Sequence, residues 1–180
     1  MNKKVLIGVI VGIVVLATVA GLVIFTGNNK GVNLKLDFSH MNELTYEVNL
    51  ATAKEDKVTE FDEEEPNFVR IENEKENYVL DITLDTEAKE AYEQFRTTAK
   101  EENELYEETK FGKYDGYYSD DDGIYGYVLL DTTDPTFNVF VNFNVYLLDE
   151  SSEENNDIKT IYESSNVQNI LNNIKFKSSK

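Results

Sequence analysis

Apolar residues follow three patterns along this chain, and each pattern predicts a different kind of element. The first is an unbroken run from Val5 to Phe25 in which no residue carries a charge. About 20 helical residues cross the ~30 Å hydrocarbon layer of a bilayer, where a helix satisfies its own backbone and a loop does not. The run therefore predicts a transmembrane helix.

The second pattern is alternation. Val32, Leu34, Leu36 and Phe38 are separated by Asn33, Lys35 and Asp37, and Leu44, Tyr46, Val48 and Leu50 repeat the rhythm. These predict two antiparallel strands, each with one buried face, joined through Ser39 to Glu43. Phe68 to Ile71 predicts a short strand, Tyr78, Leu80, Ile82 and Leu84 a clearer one, and Ile124 to Leu130 another. Phe137, Val139, Val141, Phe143, Val145 and Leu147 give the longest alternation and the candidate central strand.

The third pattern has the helical period. Ala88, Ala91, Tyr92, Phe95 and Ala99 share one helical face, with Asp85 or Thr86 as the cap. Crowded like charges at Glu101, Glu102, Glu104, Glu107 and Glu108 end that helix. Val167, Ile170, Leu171 and Ile174 form a second helical face. Ser165 and Gln168 have the spacing of a capping box, Phe176 tucks in at the end, and Lys175, Lys177 and Lys180 suit the negative end of the dipole.

Between these elements, Lys54 to Asn67 reads as an exposed loop, rich in acid from Asp62 to Glu65, and Ser151 to Asp157 as a polar loop. Asp120-Asp121-Asp122-Gly123 and Asp131 to Thr136 read as turns. The sum is an α+β domain, a mainly antiparallel β-sheet of five to seven strands flanked by two or more helices, preceded by one N-terminal transmembrane helix. The expected division is an anchor over 1–26, a polar, glycine-flanked linker over 27–31 and an acidic domain over 32–180.

Charge sets the expected topology. Lys3 and Lys4 precede the apolar run, so the N-terminus stays in the cytoplasm and the domain faces outward from the cell membrane, in a single pass. A cleaved signal peptide is the alternative, with Thr18-Val19-Ala20 as its cleavage site and a secreted domain as its product; its apolar region is ordinarily only ~7–15 residues. Gly8 and Gly12 have the small-xxx-small spacing that lets two membrane helices approach closely, which points to a homodimer through the anchor.

Composition narrows the chemistry. The chain of 180 residues has no cysteine and one histidine, which removes disulfides, thiolate metal sites, thiol nucleophiles and a three-histidine zinc site. With 17 basic and 35 acidic residues its net charge is −18, so a phosphate backbone is a poor partner and nucleic acid is not expected.

Three segments carry a resemblance to a known fold: Ala88 to Phe95, then Gly112-Lys113-Tyr114-Asp115-Gly116-Tyr117, then Ile170 to Phe176. Their order, after paired N-terminal strands, resembles the PsbP/Mog1-like family over about residues 32–176. The resemblance implies a sheet flanked by helices and a binding or assembly role. No binding motif of that family is present to place a functional residue.

Individual residues offer little catalysis. Ser39 and His40 are neighbours and diverge on an extended chain, which does not suit a nucleophile and its base. Asp120, Asp121 and Asp122 are weak cation candidates: with Gly123 in the glycine position of an EF-hand loop, the first and last ligand positions fall on Tyr118 and Leu129. No carboxylate pair stands out among so many acids. Tyr114, Tyr117, Tyr118, Tyr125 and Tyr127 cluster with Tyr106, and the outward members of this set are the candidate binding surface, the others packing against the helices.

The expected function is that of an extracytoplasmic binding or assembly module, non-catalytic and without cofactor, held to the membrane by residues 5–25 and acting on an unidentified protein partner at a bacterial cell surface. The alternatives are a carboxylate-based hydrolase and a cation- or ligand-sensing module.

Overall fold

The computed structural model describes residues 23–26, 32–38, 44–60, 67–120, 123–149 and 157–179. In chain order the strands and helices are β1 (Val23–Thr26), β2 (Val32–Phe38), β3 (Leu44–Leu50), β4 (Lys57–Glu60), β5 (Phe68–Asn73), β6 (Tyr78–Ala88), α1 (Lys89–Glu102), β7 (Tyr106–Phe111), β8 (Tyr114–Asp120), β9 (Ile124–Asp131), β10 (Phe137–Leu147), α2 (Ile158–Tyr162), α3 (Ser165–Asn172) and β11 (Lys175–Ser179).

Eight strands form one sheet in the order β1-β4-β5-β6-β10-β9-β8-β7, and β11-β3-β2 form a second, smaller one. Every pairing is antiparallel. The α+β expectation holds, and β10 is the interior strand its alternation predicted, seated between β6 and β9.

Register explains the layers. Leu80, Ile82 and Leu84 of β6 lie opposite Val145, Phe143 and Val141 of β10, so one face of the sheet is continuously apolar. That face packs on Ile161 and Tyr162 of α2, on Val167, Ile170 and Leu171 of α3 and on Val48 and Leu50 of the small sheet. Each fully buried aliphatic side chain contributes roughly 1.5–3 kcal/mol, so this layer dominates the stability of the fold. The opposite face carries Phe140 and Tyr127, and α1 covers it there through Tyr92.

Several elements differ from the pattern-based expectation, each for a local reason. The strands number eleven among the described residues, in two sheets rather than one of five to seven. Lys57–Glu60, expected within a loop, is β4: Val58 is its one apolar residue, too little to register as alternation. Asp85 and Thr86 do not cap α1, because β6 continues through them to pair with β10; the cap is Ala88, without a side-chain hydrogen bond.

The first helix stops at Glu102, and Glu107 and Glu108 belong to edge strand β7. The cap of α3 is Ser164 rather than Ser165, its hydroxyl accepting from the Val167 N–H at 3.4 Å, while the Gln168 side chain donates to the Tyr162 carbonyl. Lys175 and Lys177 lie in β11 rather than at a helix end, their register fixed by Phe176 opposite Val48.

The end of the expected anchor is also different. Val23 to Phe25 are extended in β1, where β-branched and aromatic residues pair with the edge of β4. The rest of the apolar run, with Gly8 and Gly12, lies outside the described residues, as do the 27–31 linker, Ser39, His40 and Asp62 to Glu65. Among the described residues no helix is long and apolar enough to cross a membrane.

Candidate functional site: the aromatic layer beneath helix α1

Strand parity divides the candidate tyrosines between two layers. Tyr117 pairs with Tyr127 across β8 and β9, and Ser119 pairs with Tyr125, which sets these residues on the α1 side of the sheet. Tyr118 pairs with Gly126 on the opposite side, where Tyr114 also joins the main core. Gly126 lets the Phe143 ring come close: a β-carbon there would lie 2.6 Å from its Cζ.

On the core side, Tyr114 and Tyr118 serve packing. The Tyr118 ring lies 4.6 Å from that of Tyr162, and its hydroxyl donates to Glu107 at 2.7 Å. The Tyr114 hydroxyl accepts from the Phe176 N–H at 3.3 Å. Burial of both removes them from any accessible binding surface, and Tyr117, only 1% exposed, is removed as well. Of the remaining two, both half-buried, Tyr127 lies beneath Tyr92 and Phe95 of α1, which leaves Tyr125 as the outward member.

On the α1 side the rings build a continuous layer. Tyr117 lies 5.2 Å from Tyr127, 5.4 Å from Tyr106 and 6.0 Å from Tyr92. Phe95 stacks on Tyr127 at 6.2 Å, and Phe140 approaches Tyr127 to 5.4 Å. Such tilted and edge-on pairs add ~0.5–1.5 kcal/mol each beyond area burial. Burial raises four phenols of the layer: Tyr92 and Tyr117 well above the ordinary range, Tyr106 and Tyr127 to about 12. The layer is neutral at physiological pH.

One atom in it is anomalous. The Tyr117 hydroxyl is buried with no hydrogen-bond partner, one of three such side-chain groups among the described residues, with Thr86 Oγ1 and Asn144 Oδ1. Beside the layer, Asp85 is held above the usual carboxylate range, first by desolvation, although its carboxylate accepts the Thr86 N–H at 2.7 Å.

The rim is polar. Arg96 of α1 pairs with Glu93 at 2.8 Å and approaches Glu108 of β7 at 3.8 Å. Lys100 stands 5.9 Å over the Tyr106 ring, whose hydroxyl donates to Glu108 at 3.1 Å. Asn103 donates to the hydroxyl oxygens of Tyr125 and Ser119 and closes the far end. This is a shallow groove of mixed charge between a helix and an edge strand.

A second polar cluster lies on the same sheet face. Asp81, 5% exposed, accepts from Arg70 through both oxygens at 2.8 and 2.9 Å and from the Tyr146 hydroxyl at 3.0 Å. Alternation treats Arg70 and Asp81 only as outward slots of their strands. Their pairing is set by the β5–β6 register, which no sequence pattern displays.

For cation binding, the Asp120 carboxylate accepts the Leu105 N–H at 2.8 Å and so pins β7 to the end of β8; Asp121 and Asp122 lie outside the described residues. Among the described residues no group of three or more His, Cys, Asp or Glu is placed to hold a metal ion. No protein-family model, curated protein or solved structure matches the chain.

Proposed function

We propose that this chain is a single-pass, membrane-anchored binding or assembly module of a bacterial cell surface, with its N-terminus in the cytoplasm and its α+β domain outside. The observation that carries the reading is the charge-free run behind Lys3 and Lys4, whose part ahead of β1, Val5 to Leu22, still has the length of a membrane-spanning helix. A protein partner and a non-catalytic role fit the way the domain spends its aromatic residues. They form packed layers, and the groove beside them is shallow and of mixed charge. The α1–β7 rim, with Tyr106 and Glu108 in the groove and the half-buried Tyr125 at its end, is the contact surface of this proposal. A PsbP/Mog1-like arrangement is its finer fold, supported by a sheet covered by helices on both faces.

The test is protease accessibility in intact cells carrying a C-terminal tag on the full chain. External protease removes the tag while the chain stays in the membrane fraction after an alkaline wash. A tag protected in intact cells and digested only after lysis overturns the topology.

A further inference from the structure

Strand β7 ends the order of the large sheet and pairs only with β8 among the described residues. The β7–β8 hairpin turns through Gly112 and Lys113, and Gly112 has φ +62° while Lys113 does not take a positive φ, which suits a type II′ turn. In such a hairpin the closing pair, Phe111 with Tyr114, exchanges both ladder hydrogen bonds, and bonded pairs then alternate. Phe111, Thr109 and Glu107 therefore turn their backbone groups toward β8. Lys110, Glu108 and Tyr106 turn theirs outward, where no described strand meets them.

We propose that a second copy of this chain joins at this edge, β7 against β7, around a two-fold axis through Thr109. An axis perpendicular to the sheet keeps like faces together, so only residues of the same parity can lie opposite each other. With the axis at Thr109, Glu108 faces the second copy's Lys110, and Lys110 faces the second copy's Glu108. These are the outward-bonding residues, so both pairs also exchange main-chain hydrogen bonds. Moving the axis to Glu108 or to Lys110 sets like charges directly opposite, which is unfavourable.

The flanking charges continue the alternation. Lys110 is already paired with Asp115 on β8, and Glu108 with Arg96 on α1. Across the joined edges the order on this face becomes Asp115, Lys110, the second copy's Glu108 and the second copy's Arg96, with signs alternating throughout. Glu108 and Lys110 are both exposed and available for the exchange.

An edge of this length belongs with small, reversible contacts. If both copies share a membrane, confinement raises their effective concentration. The pairing itself does not depend on the anchor, so the protease experiment above and the one that follows fail independently.

The chain has no cysteine, so a single introduced thiol reports one contact. Thr109 on the axis forms a non-hydrogen-bonded pair with its own copy, at a Cα separation of ~4.5 Å that lies within disulfide range. Purified full-length Thr109→Cys, mildly oxidised in nonionic detergent, is expected to form a disulfide dimer several-fold faster than Thr97→Cys on the outer surface of α1. Adding Lys110→Glu lowers the rate to that control, and the exchanged pair Glu108→Lys/Lys110→Glu restores it. Circular dichroism checks that each variant is folded, and a Glu108→Cys/Lys110→Cys variant that cross-links to dimer tests the same register without touching Thr109. Equal rates for Thr109→Cys and Thr97→Cys, or a Thr109→Cys rate indifferent to Lys110→Glu, overturn the proposal.

Discussion

A tyrosine sealed from water with its hydroxyl unpaired is in the wrong place for its chemistry and the right place for its shape. Tyr117 touches Tyr92, Tyr106 and Tyr127, and these contacts belong to the ring. Its hydroxyl carries a desolvation cost with no hydrogen bond to offset it. Tyr117→Phe is therefore expected to raise unfolding free energy by about 1 kcal/mol, and Tyr117→Ala to lower it by ~3–5 kcal/mol, both read by chemical denaturation. A loss on Tyr117→Phe comparable to Tyr117→Ala would mean that the hydroxyl is bonded. The same burial makes Tyr117→Ala unsuitable as a probe of partner binding, a purpose better served by Tyr125, half-exposed at the rim. Asp85 presents the complementary case. Its folded pKa lies above that of the unfolded chain, so its contribution is fully present below the unfolded carboxylate value and is lost as pH rises through the folded one. Asp85→Asn keeps an acceptor for the Thr86 N–H and removes the charge. The variant is expected to be more stable than the parent at pH 7, with the advantage disappearing as the buffer is taken below about pH 4. Parallel stability curves for the two across that range would sink this account.

At the level of elements, what was legible is what has a period. The β10 alternation gave a strand and its place inside the sheet, because a strand buried on one face and half-covered on the other needs apolar residues on every second position. The faces of α1 and α3 were legible for the same reason: Tyr92 and Ala99 are buried, as are Val167, Ile170 and Leu171. Short and edge elements were not. β4 has one large apolar residue, β7 mixes Glu107, Glu108 and Lys110 into its alternation, and β11 borrows its register from Val48 through Phe176. Asp85 and Thr86 are good caps in isolation, but eleven paired positions with β10 hold them in β6, so α1 starts later than local propensity predicts. Long-range pairing outweighed local propensity there. The tyrosine cluster was visible as a cluster, and its division into two layers follows from parity once the β8–β9 register is known. The Arg70–Asp81–Tyr146 group spans three strands and has no local signature at all.

Over the whole molecule, the charge balance makes a prediction that no single contact makes. The chain has 35 acidic and 17 basic residues, so compaction brings like charges together and the folded state repels itself. Opposing this are ion pairs such as Lys57–Glu72, Arg96–Glu93 and Lys110–Asp115, whose basic partners are all substantially exposed. Pairs of this kind contribute ~0–1 kcal/mol each and are themselves screened by salt. The better shielded Arg70–Asp81 pair is bidentate and is screened far less. Raising ionic strength from ~0.01 M to ~0.1 M shortens the screening length from ~30 Å to ~10 Å, which weakens repulsion across the domain more than it weakens the short-range pairs. Sodium chloride is therefore expected to raise the thermal unfolding midpoint of the full chain in nonionic detergent, most steeply at the low end of that range. Chloride is the appropriate anion, because sulfate strengthens burial in any protein by exclusion from its surface. A midpoint that falls as sodium chloride is added would show that exposed ion pairs, rather than net repulsion, govern the electrostatics of this fold.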